Sequence, residues 1–129
     1  YQQILIIRSM VAQRKLNLTL VPCPIVREAS GLAMSSRNER LSPQGKAQAA
    51  FIYQVLTEAK ERFASHSVEE VTAFVKEQFA EKAEVELEYF IIADERTLQP
   101  AITKEAGVAY RAFIVAYIEG VRLIDNLAF

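Results

Sequence analysis

Gly107-Val108-Ala109-Tyr110-Arg111-Ala112-Phe113-Ile114-Val115-Ala116-Tyr117-Ile118-Glu119-Gly120-Val121-Arg122-Leu123-Ile124 is dense in β-branched and aromatic residues. Such side chains fit a pleated, half-buried surface, and the signal resumes at Val121 after a break at Gly120. Upstream, Val85, Leu87, Tyr89 and Ile91 alternate with Glu84, Glu86, Glu88 and Phe90, which predicts another strand with one buried face that becomes buried on both near its end. Glu84, Glu86 and Glu88 then share a solvated face, and Asp94 begins a turn. The fold expected is α+β: a small antiparallel three-stranded sheet with helices packed on one face.

The helices lie before the strands. Ser42-Pro43 offers a capping hydroxyl followed by proline at the first helical position, and Ala47, Ala50, Phe51, Val55, Ala59 and Phe63 form the expected buried stripe of a helix reaching about Ala64. Ser67-Val68-Glu69-Glu70 is a capping box for a further helix that turns Val71, Phe74, Val75 and Phe79 inward. From Gln2 to about Lys15, Ile4, Leu5, Ile7, Met10 and Val11 recur at helical spacing. Leu18-Thr19-Leu20-Val21 then reads as a short strand stopped at Pro22. A helix feeding a strand resembles the last unit of a parallel Rossmann-like nucleotide-binding sheet, where ligands bind at strand ends. Residues 1–22 are therefore expected to be the C-terminal remnant of a preceding nucleotide-binding domain, and 23–129 a C-terminal α+β domain, with the boundary and a hinge at Pro22-Cys23-Pro24.

The chain has 129 residues, 51% of them hydrophobic, which suffices for one compact core. Its 15 basic and 16 acidic residues give a net charge of -1, so the bulk attraction that non-specific nucleic-acid binding depends on is missing and any anion site must be local. One cysteine allows no intrachain disulfide, and a reduced cytoplasm is the default expectation. No apolar run approaches the roughly 20 residues that cross a bilayer.

The chemistry concentrates in Arg27-Glu28-Ala29-Ser30-Gly31-Leu32-Ala33-Met34-Ser35-Ser36-Arg37-Asn38. Adjacent serines supply short hydroxyl donors, Arg37 a planar fork of charged donors that fits phosphate oxygens, and Gly31 the positive backbone angles of a wrapping loop. By composition alone this could equally be a turn leading into the Ser42 helix, because serine and asparagine favour turns for local hydrogen-bonding reasons. The order of the residues closely resembles the signature loop of the pantothenate synthetase (pantoate–β-alanine ligase) family. Tyr1-Gln2-Gln3, the stretch Pro24 to Pro43, and Arg122-Leu123-Ile124-Asp125-Asn126 resemble that family in the same order, so the likeness covers essentially the whole chain. Ser30 departs from it, standing where the family often has aspartate.

The resemblance implies an ATP-dependent ligase in which pantoate attacks the α-phosphate of ATP, giving pantoyl adenylate and pyrophosphate, and β-alanine then displaces AMP. It implies ATP contacts at Val26, Met34, Ser35, Ser36 and Arg37, with Ser35, Ser36 and Arg37 as the catalytic donors, and a pantoate contact at Gln3. Mg2+ would accompany the triphosphate, and no residue here is assigned to a metal. It further implies that this chain is the C-terminal half of an enzyme that is homodimeric when full length. The family's paired histidines, its acid-lysine stretch and most pantoate and β-alanine contacts would lie in the missing N-terminal domain.

Other conspicuous residues read as structural. Arg27 and Glu28 are expected to form a loop-stabilising ion pair, Cys23 to be small and buried, His66 to be a solvated linker residue, and Asp125-Asn126 to cap a turn. The alternative from another class is a non-catalytic α+β interaction or oligomerisation module whose serine loop only caps a helix. A nucleic-acid-binding appendage would want a basic surface, and the helix from Ser67 to Lys82 carries mainly acid.

Overall fold

The computed structural model describes residues 1–129. Strands β1 (Glu86–Asp94), β2 (Tyr110–Ile118) and β3 (Val121–Ala128) form one antiparallel sheet in that order, preceded by helices α1 (Gln2–Gln13), α2 (Pro43–Phe63) and α3 (Val68–Ala80). Ile118 pairs with Val121, so Glu119 and Gly120 alone make the turn between β2 and β3. Both hold positive φ, 51° and 72°, the geometry of the tight turns whose twist matches that of the flanking strands.

Helices α2 and α3 cover one face of the sheet, as the sequence predicts. Ile52, Val55, Leu56, Val71 and Val75 meet Ile92, Ile114 and Ala116 in a single apolar core. α2 starts where Ser42 Oγ accepts from the Gly45 N–H, and α3 carries the full Ser67–Glu70 capping box. The Ser42 hydroxyl also donates to the Glu119 carboxylate at 2.5 Å and the Ser42 N–H does so at 2.8 Å, tying the β2–β3 turn to the start of α2.

Two inward-facing stripes differ from expectation. In α2, Ala47 faces solvent while Ala49, Ile52 and Leu56 point inward beside Val55 and Ala59, and Phe51 is half-buried against Phe79, ring centroids 5.1 Å apart. In β1, the pairing register shifts between Leu87 and Tyr89. One extra residue inverts the alternation, so Phe90 and Ile92 point into the core while Ile91 faces outward.

The N-terminal segment is a larger departure. α1 forms but buries no residue. The expected strand Leu18–Val21, and with it the helix-strand remnant of a parallel sheet, is not observed: residues 16–26 pair with no strand of this chain, and a strand exists only where a neighbour supplies hydrogen-bonding partners. Cys23 is exposed rather than buried, on an extended stretch held out by its two flanking prolines. Tyr1 nevertheless contacts the outer sheet face, 6.3 Å from the Phe113 ring centroid, with the Arg111 guanidinium 4.0 Å from its own.

Candidate functional site

Residues 26–34 fold back on themselves as a small hairpin. Arg27 and Ala33 form an antiparallel bridge, the Glu28 N–H donates to Leu32 O, and the Met34 N–H donates to Val26 O, each at 2.9 Å. Gly31 sits in the turn with φ 89°, and the Tyr53 ring fills the space a Cβ would need, so any larger residue is excluded twice over. Ser35 caps a short 3-10 helix, Ser36–Arg40, its hydroxyl accepting from the Arg37 N–H at 3.2 Å. Asn38 is buried beneath the hairpin. Its amide donates to Ala33 O at 3.0 Å and to the Glu28 carboxylate at 3.2 Å, while its Oδ1 has no partner in the chain.

Arg27 and Glu28 do not pair with each other, because neighbours in an extended segment point to opposite sides. Glu28 meets Asn38, whereas Arg27 reaches across the molecule to Asp125 with both terminal nitrogens, at 2.6 and 3.0 Å. The same guanidinium donates to Gly31 O at 3.0 Å and lies 3.9 Å from the centroid of the Tyr53 ring. Asp125 is thus no turn cap. It occupies an inward position of β3, 8% exposed, and removing one member of such a buried pair typically costs about 3–5 kcal/mol because the other charge is stranded. The signal was present in the alternation Val121, Leu123, Asp125, which places a carboxylate among inward residues and so demands a partner.

A cleft of about 190 Å³ opens beside the hairpin, lined among others by Met34, Ser35, Arg37, Asn38, Tyr53 and Asp125. Val26 joins this group through its backbone bond to Met34, and Ser36 is exposed on the same turn. Gln3 is elsewhere: it lines a second cleft of about 300 Å³ with Tyr1, Tyr89, Phe113 and Arg122. Ile124 and Asp125 border both clefts. The Arg37 guanidinium is paired with no carboxylate of this chain, so three potential anion donors, Ser35, Ser36 and Arg37, stand on one turn. His66 is exposed in the linker between α2 and α3, its Nδ1 within 3.1 Å of Arg62 O.

Surface carboxylates elsewhere are held in their charged form. The Ser42 hydroxyl and N–H keep the Glu119 carboxyl below the usual glutamate range, the Ser67 N–H and hydroxyl do the same for Glu70, the Arg122 guanidinium for Glu88, and the Thr97 and Arg96 N–H groups for Asp94.

The chain matches the pantoate-beta-alanine ligase family over residues 1–128. It is 52% identical, over 99% of its own length and 45% of the other's, to the pantothenate synthetase of Christiangramia forsetii, and 45% identical over the same shares to that of Flavobacterium psychrophilum. It therefore spans less than half the length of these curated relatives. Its fold superimposes on pantothenate synthetase from Thermus thermophilus with a TM-score of 0.87 at 35% identity, covering 98% of this chain and 46% of that one. Against the pantoate-beta-alanine ligase of Francisella tularensis complexed with beta-gamma ATP and beta-alanine, the TM-score is 0.63 at 30% identity, covering 99% of this chain and 40% of that one. No helix is long and apolar enough to cross a membrane. With the match running from the Tyr1 segment through the serine hairpin to the last strand, the chain belongs to the pantoate–β-alanine ligase family.

Proposed function

We propose that this chain is the C-terminal part of an ATP-dependent ligase that joins pantoate to β-alanine, working in the cytoplasm as a homodimer when full length. The observation that carries the reading is the serine turn: Ser35, Ser36 and Arg37 are donors on the turn that directly follows a hairpin braced from two sides, in a chain of this family. A pantoate carboxylate oxygen attacks the α-phosphorus, forming a new P–O bond while the bond to the β-phosphate oxygen breaks and pyrophosphate leaves. The β-alanine amine then attacks the acyl carbon, the C–O bond to AMP breaks, and the amine gives up its proton as the amide forms.

Charge accumulates on phosphate oxygens in the first step, so donors aimed at the triphosphate lower its barrier more than they tighten ground-state binding. Ser35, Ser36 and Arg37 fill that role. The backbone of Val26 borders the adenine, Met34 adds a further ATP contact, and Gln3, able to donate and accept at once, holds pantoate. Mg2+ arrives with the triphosphate and takes no ligand from this chain. Residues 1–22 belong with the preceding nucleotide-binding domain and 23–129 form a unit that closes over ATP about Pro22-Cys23-Pro24, excluding water from the adenylate.

The test is pantoate-dependent exchange of labelled pyrophosphate into ATP by this chain alone and after mixing with its separately expressed N-terminal half. Exchange confined to the mixture supports the reading. Silence from a folded, associated pair favours a non-catalytic interaction module, a role to which the exposed Ile6 and Met10 of α1 would lend themselves.

A further inference from the structure

We propose that Asp125 is a positioning residue for the serine hairpin, acting through Arg27 to fix the Val26–Met34 backbone pair and the aim of Ser35 and Arg37. The proposal rests on the reading of that hairpin as the ATP site. Its geometry is a three-way strut. Arg27 sits at the hairpin base, opposite Ala33 and one residue from Val26, and binds β3 through Asp125, the turn through Gly31 O, and α2 through the Tyr53 ring. Two parallel bonds from a planar guanidinium fix orientation as well as distance. The carboxylate is itself held, since Asp125 Oδ1 also accepts from the Asn126 N–H at 2.7 Å.

Without the strut, the hairpin would keep the Met34–Val26 and Glu28–Leu32 backbone bonds and the Asn38 amide beneath it but lose its tie to β3, and both Val26 and Met34 are exposed, at 67% and 61%. Held from beneath alone, the hairpin has more room to tilt against β3, and loss of aim at a reacting centre is expensive in rate and affinity. Asp125 also borders the second cleft, where Gln3 lies, so its position bears on the separation of the two substrate clefts.

The experiment uses the full-length enzyme carrying this chain, in wild-type, Asp125→Asn and Arg27→Lys forms, with Ser67→Ala as a control that weakens a helix cap outside both clefts. One readout is KM for ATP and for pantoate against kcat in the pyrophosphate exchange. The other is hydrogen exchange of the Met34 amide, which reports the hairpin without reference to activity. Asp125→Asn and Arg27→Lys are expected to raise KM for ATP on the order of tenfold or more, with a smaller effect on pantoate, and to speed exchange at Met34. Ser67→Ala should lower the melting temperature and move neither readout. A folded Asp125→Asn with unchanged KM for ATP and unchanged Met34 protection overturns the proposal. If Asp125→Asn does not fold, Arg27→Lys decides in the same way, since it keeps the charge and loses only the fork. A wild-type enzyme that catalyses no exchange would defeat the functional reading, while Met34 protection would still decide whether Asp125 holds the hairpin.

Discussion

Residues 1–26 and 41–129 put similar apolar patterns to opposite use. Of the 29 buried residues only Leu32 and Asn38 precede Leu41, and α1 contributes none despite Ile4, Leu5, Ile6, Ile7, Met10 and Val11. α2 has a comparable helical period, yet its Leu56 and Ala59 are completely enclosed by α3 and the sheet. Helical spacing of apolar residues therefore tells where a helix keeps its greasy side, but what covers that side is decided elsewhere. Between the two regions, the serine hairpin belongs to the packed body through its struts while presenting its donors to solvent.

The contrast breaks most visibly in the core. Leu56→Ala should lower the unfolding free energy by about 2–5 kcal/mol, read from the denaturant midpoint, because the enclosed site cannot collapse onto the space left. The hairpin should behave differently. In the full-length enzyme, Arg37→Ala should leave stability within about 0.5 kcal/mol of wild type, yet slow adenylate formation roughly 10²- to 10³-fold and barely alter pantoate binding. Equal losses in both would remove Arg37 from the transition state.

A cap at the edge of the body is worth less: Ser67→Ala should cost about 1 kcal/mol in the same unfolding measurement, since it strips one helix-end N–H of its acceptor. Acid should act next. Glu70, Glu88, Asp94 and Glu119 all titrate lower folded than unfolded, so their contribution is fully present above the ordinary carboxylate range and is lost as the pH falls through and below it. Thermal unfolding across an acid pH series should show that decline, and Glu119→Gln should flatten part of it. The smallest effect belongs to the other region. Ile6→Ala, at a site 67% exposed, should change the stability of this chain by no more than about 0.5 kcal/mol, and a loss rivalling Leu56→Ala would abolish the distinction between the regions.

Local signals carried most of the fold. The Ser42-Pro43 start, the Ser67–Glu70 box and the β-rich run through Gly120 depend on residues within one turn of each other, and each stands where the sequence put it. The inverted phase of β1 comes from one extra residue facing β2, which no pattern within β1 itself could reveal. Leu18–Val21 has strand composition but no neighbour here to pair with. For the candidate site, the serine turn and the need for Gly31 were legible. The partnership of Arg27 was not, because proximity in sequence favoured Glu28 while the fold delivered Asp125.

The Arg27–Asp125 fork joins residues 98 apart in the chain. Contacts of such long separation carry the loop-closure entropy of everything between them until intervening structure has formed, whereas the β2–β3 hairpin with its two-residue turn needs only local closure. The Arg27 brace on the serine loop therefore cannot form until the last strand is paired and the carboxylate is in place. A chain can hold its helices and much of its core while that brace is still missing, so the setting of the serine turn comes behind architectural completion.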